Sequence, residues 1–78
     1  HLMQAIDRKM SANGRTFIVA FDGYPESKPY QTFKEARRAH SKRNIYHVDC
    51  SIIQDEGGKR SVICEWDTYS KTWIFSHA

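Results

Sequence analysis

Apolar and polar positions along residues 15–22, RTFIVAFD, alternate with the period of a strand. Phe17, Val19 and Phe21 fall on one side, and Thr16, Ile18 and Ala20 on the other. The same period returns in residues 46–54, in residues 60–67 and after a turn at Tyr69-Ser70. Between the first and second of these runs it changes. In residues 32–44, TFKEARRAHSKRN, the residues Phe33, Ala36, Ala39 and His40 recur at helical spacing. Thr32 and Glu35 have the spacing of a capping box, in which each side chain satisfies the other's backbone N–H. The interior has no glycine, proline or β-branched residue to resist a helix. Asn44 suits the left-handed residue that ends one, and Lys42 and Arg43 suit the negative end of its dipole. The buried stripe is narrow and built of small residues, so the helix can lie close to a sheet.

The alternation also predicts how the later strands pair. Residues 55–59, DEGGK, read as a hairpin turn. Val48, Cys50 and Ile52 meet Val62, Cys64 and Trp66 on one face if the loop is Glu56-Gly57-Gly58 with a glycine at positive φ. This register sets Cys50 opposite Cys64, Val48 opposite Trp66 and Ile52 opposite Val62. In the last hairpin, pairing Asp67 with Thr72 sets Trp66 opposite Trp73 and Cys64 opposite Phe75. Both hairpins thus give one core face for the helix to cover. The expected architecture is α+β in β-α-β-β-β order: one basic amphipathic helix packed on one face of a mainly antiparallel sheet of four or five strands. The other face would carry His47, Asp49, Ser51, Ile53, Ile63, Glu65, Asp67, Thr72 and Ile74, with Asp49 beside Glu65 and His47 beside Asp67.

Residues 23–29, GYPESKP, are rich in turn formers, and their two prolines cannot serve a central ladder. Tyr30 and Gln31 are expected to add a short edge strand. Residues 1–14 read as a flexible leader whose first residues, HLM, look like a cloning scar, with Met3, Ile6 and Met10 available to line one side of a short helix. Residues 15–78 read as a single domain. At 78 residues its core is thin, which favours leaning on a partner or on a second copy. No apolar run is long enough to span a membrane. Cys50 and Cys64 are the only cysteines, without a C-x-x-C or disulfide-scaffold spacing, which points to a reducing, cytoplasmic setting.

Charge sharpens this picture. The net charge is +3 and the pI about 9.0. Much of the positive charge sits on the helix, as Lys34, Arg37, Arg38, Lys42 and Arg43, with Lys28 near in sequence. This face is either a solvated surface with intrahelical pairs such as Glu35–Arg38, or a surface for phosphates on a nucleic acid or another acidic partner. Base-specific reading is not expected, since neither a helix-turn-helix nor an aromatic RNA platform is present. On the other face, Asp49 and Glu65 amid Ile53, Ile63 and Ile74 form a candidate protein interface, for a partner or a homodimer, if nothing covers it. The same carboxylates with His47 have the chemistry of an acid/base or cation site, yet no pocket is implied. His40, Cys50 and Cys64 share the helix–sheet interface without the tight spacing of a zinc motif. The bland reading of the three is two buried thiols and a packed, hydrogen-bonded histidine. No catalytic residue, metal site or cofactor is therefore assigned, and the chain is expected to be a non-enzymatic binding protein.

The segments YQTFKEARRAHSKR and YSKTWIFSH, in the order strand, T-F-x-E-A-type basic helix and meander ending in K-x-W, resemble small phage- or prophage-encoded proteins of the type I-F anti-CRISPR kind. The resemblance covers residues 15–78 in element order only and carries over no contact residue. It implies a phage-derived inhibitor that docks on a nucleoprotein complex.

Overall fold

The computed structural model describes residues 14–76. Four strands and one helix follow in order: β1 (Arg15–Phe21), α1 (Phe33–Arg43), β2 (Cys50–Glu56), β3 (Lys59–Asp67) and β4 (Thr72–Phe75). The strands form one sheet in the order β1-β2-β3-β4, each neighbour antiparallel. This is the α+β architecture with one helix over a four-stranded antiparallel sheet. The reading of residues 1–13 as a leader lies outside the described residues.

The helix forms for the reasons its sequence gives. Thr32 Oγ1 accepts from the Glu35 N–H at 3.1 Å, and Glu35 Oε1 accepts from the Thr32 N–H at 3.0 Å. Asn44 closes it at φ 56°, with its N–H donated to the Ser41 carbonyl. Phe33, Ala36 and His40 are buried beneath it. They meet Phe17, Val19, Phe21, Cys50, Ile52 and Cys64 from the sheet, with Trp66, Trp73 and Phe75 packed around this cluster. Phe17 and Phe33 touch edge to face at 6.1 Å.

The last hairpin pairs as its alternation predicts: Asp67 with Thr72, Trp66 with Trp73 and Cys64 with Phe75. The middle hairpin does not. Its loop is the two residues Gly57-Gly58, both at positive φ (62° and 87°), with Glu56 opposite Lys59. Two consecutive positive-φ residues make the tight turn whose twist matches the flanking strands. A two-residue loop alone would turn Cys64 and Trp66 away from the helix. A bulge at Ile63 corrects this, because the register shifts between Ile52 and Ile53. Ile52 then lies opposite Cys64 and Cys50 opposite Trp66, not Ile52 opposite Val62 or Cys50 opposite Cys64. Val62 leaves the expected core and is 43% exposed.

Residues 46–49 are not strand. The Tyr46 carbonyl accepts from the Trp66 indole N–H at 2.8 Å, and the Tyr46 hydroxyl donates to the Ser41 carbonyl. Tyr46 therefore pins the connection to the helix end instead of extending β2. At the opposite edge, residues 27–30 run along β1. Phe17 and Tyr30 exchange backbone bonds at 2.8 Å, and Ser27 Oγ accepts from the Val19 N–H at 2.8 Å. This short bridge at Tyr30 is all that forms of the expected fifth strand. It occupies an edge that would otherwise offer unpaired donors.

Candidate nucleic-acid interface

Burial of Phe33, Ala36 and His40 fixes which way α1 faces, and so where each cation points. Lys34, Arg38 and Lys42 recur every fourth residue along its outer side, and all three are exposed. Among the described residues no ion pair takes any of them. Glu35, the carboxylate placed by spacing to pair with Arg38, is turned back into the capping box. Arg37 and Arg43 are not part of this outer row. Arg37 is half-buried on one flank and already makes a contact of its own. Arg43 lies on the other flank, its guanidinium 5.4 Å from the Phe21 ring centre and 5.3 Å from that of Tyr24.

On Arg43's flank the helix and residues 25–30 stand apart. Two adjoining hollows of about 270 and 250 Å3 lie between them, and both are lined by Tyr30 and Ala39. The first reaches down to Val19 and Phe21 beside Arg43; the second opens onto Arg38 and Lys42. Lys28 sits over the Tyr30 ring at 5.4 Å. Glu26, on the rim, is held by Arg60, whose guanidinium donates to both carboxylate oxygens at 3.2 Å. Spacing along the chain identified the outer cations. It missed the hollows, which arise from residues distant in sequence; the two prolines flanking residues 26–28 were the available signal.

The far side of the sheet differs from its expected form. Ser51, not Asp49, lies opposite Glu65, because the two-residue loop and the bulge shift the register by two residues from the expected one; Asp49 itself precedes β2. His47 likewise lies in the connection, not beside Asp67. Asp67 instead accepts from Ser70 Oγ at 2.6 Å and the Tyr69 N–H at 3.1 Å, and the Ser70 bond above all holds its carboxyl below the usual range. Asp49 and Glu65 do line one open depression of about 570 Å3, together with Asp22, which alternation alone did not bring there. Among the described residues no three histidine, cysteine or carboxylate side chains are grouped to hold a metal ion. The expected isoleucine patch is mostly covered. Ile18 is 4% exposed, Ile53 is half-buried and Ile63 packs against the core, which leaves Ile74, at 58%, with Val62.

Cys50 and Cys64 are free and buried, and burial raises both thiols to about 12. A thiol so far from ionising is a poor nucleophile or metal ligand at neutral pH. His40 is 1% exposed. Its ring stacks on Phe21 at 5.4 Å and 11° and meets Trp66 at 4.4 Å and Trp73 at 4.7 Å. It is packed, as expected, but Nε2 has no hydrogen-bond partner among the described residues. Burial lowers its pKa below the ordinary 6.5. No described helix is long and apolar enough to cross a membrane.

Compared with known proteins, the chain matches no family model, no curated protein and no solved structure.

Proposed function

We propose that the chain is a small non-enzymatic binding protein whose helix presents Lys34, Arg38 and Lys42 to a nucleic acid, free or within a nucleoprotein complex. One observation carries this reading. The outer row of cations meets no carboxylate among the described residues, while the nearby acids Glu35 and Glu26 are engaged by the helix cap and by Arg60. A face meant only to solvate itself would more often pair its charges within the helix. Successive members of the row rise about 6 Å along the axis, which spreads charge in a line suited to a backbone of phosphates.

A mobility-shift series against salt tests the reading. Binding of duplex or single-stranded DNA should weaken with salt, with a log–log slope of about −2.7 on duplex and about −2.1 on a single strand if the three cations each neutralise one phosphate. The Arg38→Glu/Lys42→Glu variant should lose the binding. No binding at low salt, or affinity indifferent to salt and to the variant, removes the proposal. A cytoplasmic setting, suited to two free thiols, belongs to the same reading, as does a phage or prophage origin. Neighbouring genes test the origin: a phage cassette supports it and a housekeeping operon ends it.

A second reading is a protein interface or homodimer on the far side of the sheet. It is favoured by the exposure of Ile74 and Val62. Sedimentation at high concentration, beside Ile74→Lys, decides it. A monomer in both cases ends the dimer.

A further inference from the structure

We infer that the two adjoining hollows beside α1 serve as one groove with unlike ends, which seats a single-stranded nucleic acid with one unpaired base in the apolar end. The inference rests on the reading of the helix as a nucleic-acid surface and narrows it from any phosphate chain to a single strand.

Tyr30 and Ala39 line both hollows, so the two adjoin, and the small Ala39 side chain stands at both. The inner end of the groove has Val19, Phe21 and Pro25 as an apolar lining and the Arg43 guanidinium against the Phe21 and Tyr24 rings. Phe21 is itself buried, with His40 stacked on it and Arg43 over it, so the flat faces left for an unpaired base are the Arg43 guanidinium and the Tyr30 ring, which serve every base alike. The outer end carries Arg38 and Lys42, two cations without an ion pair among the described residues. A nucleotide has the same two halves, a flat ring with apolar faces joined through its sugar to an anion. Of the two carboxylates on the rim, Glu26 is paired with Arg60, and Glu35 is turned back to the Thr32 cap and keeps its charge, which Arg38 and Lys42 on the same hollow outnumber.

Size and shape separate a single strand from a duplex. A hollow of about 270 Å3 falls just below the range of sites that enclose a drug-sized ligand, about 300–1,000 Å3, and suits one base. In a duplex the bases are stacked and paired, so only its phosphates reach the chain, and they meet the outer row. An acidic peptide with one large apolar side chain shares part of this chemistry. It does not use the paired aromatic and guanidinium faces as fully, which is why the single strand is preferred.

The experiment is fluorescence anisotropy of the full chain with a labelled oligothymidylate and a duplex of equal length at low salt. Two variants leave the outer charges in place. Arg43→Lys keeps the charge but loses the planar face, and Ala39→Phe fills the groove. The single strand should bind about tenfold more tightly than the duplex. Each variant should weaken it about fivefold or more, the lower range for loss of one stacked base, and change duplex binding less than about twofold. Circular dichroism checks folding, and if Ala39→Phe does not fold, Arg43→Lys decides alone because its side chain is exposed. Equal binding of both nucleic acids with silent variants overturns the groove and leaves the helix surface standing. Failure of both nucleic acids to bind overturns the two readings together. Displacement of the single strand by a glutamate-rich peptide carrying one tryptophan, at lower concentration than unlabelled oligothymidylate, assigns the groove to a protein ligand and also overturns the inference.

Discussion

His40 shows how much of this small core depends on one side chain. It is an imidazole among Phe21, Tyr46, Trp66 and Trp73, with Nε2 left without a partner among the described residues. A buried nitrogen of this kind destabilises the fold by about 1–3 kcal/mol relative to a satisfied one. The four rings offset part of that through packing. Burial lowers the pKa of His40 below 6.5, so the unfolded chain takes up the proton first as the pH falls. The contribution of neutral His40 is therefore fully present above pH 6.5 and is lost as the pH drops toward the folded-state value. The slope in that window has an upper bound of about 1.4 kcal/mol per pH unit for one proton. Urea unfolding at pH 7.5, 6.5 and 5.5 measures it, and His40→Leu should flatten the curve between those values. The same steepness in wild type and His40→Leu would place the titrating group elsewhere. Tryptophan emission gives a second readout, since Trp66 and Trp73 both touch the ring.

The middle hairpin makes the corresponding point for elements. Gly57 and Gly58 both hold positive φ, and a Cβ on either would meet nothing within 4 Å. A substitution there is opposed by backbone conformation alone. Gly58→Ala, at φ 87°, should destabilise by about 1–2 kcal/mol, which is about 4–8 °C of Tm per kcal/mol for a domain of this length. Gly57→Asn should be milder, because asparagine tolerates the left-handed region. Thermal melts check both; a Gly58→Ala chain melting with wild type would mean that the turn is not the one described. This hairpin also marks where the sequence stopped being legible. The helix could be read to its last residue because the cap signals Thr32, Glu35 and Asn44 are local. The last hairpin could be read because nothing interrupts its alternation. Two glycines are compatible with a loop of two residues or of three, and only burial of Cys64 and Trp66 chooses between them, through a bulge that alternation cannot display. The candidate site divides in the same way. Its outer cations follow from helical spacing, whereas its groove depends on residues 25–30 returning along β1, a long-range pairing that Pro25 and Pro29 permit but do not specify.

The described domain has one buried cluster, fed by the helix and β1 to β3, with Trp73 and Phe75 of β4 packed against it, and such a core is expected to open as a unit. Phe33 from the helix touches Phe17 of β1 and Phe75 of β4, the two outer strands. Cys50 and Cys64 lie inside this span, on adjacent strands but not opposite one another. They serve as two reporters of a single event. A thiol raised to about 12 scarcely reacts while folded, so labelling must wait for exposure. If the core opens as a unit, brief exposure to a fast thiol reagent in mild denaturant should yield unlabelled and doubly labelled chains, with little of the single adduct. The labelled fraction should follow the unfolding curve read by tryptophan emission. A substantial singly labelled population would show that one thiol is reached by local opening and that the core is two units. The same thiols set the alkaline limit. Their folded-state pKa lies above the ordinary 9.0, so their contribution is complete below pH 9 and declines above it, as the unfolded chain loses its protons first. Charge reversal at Arg38 and Lys42 should leave both the labelling pattern and this limit unchanged, because those cations lie outside the cluster. A variant that loses nucleic-acid binding while keeping all-or-none labelling has lost a surface and not a fold.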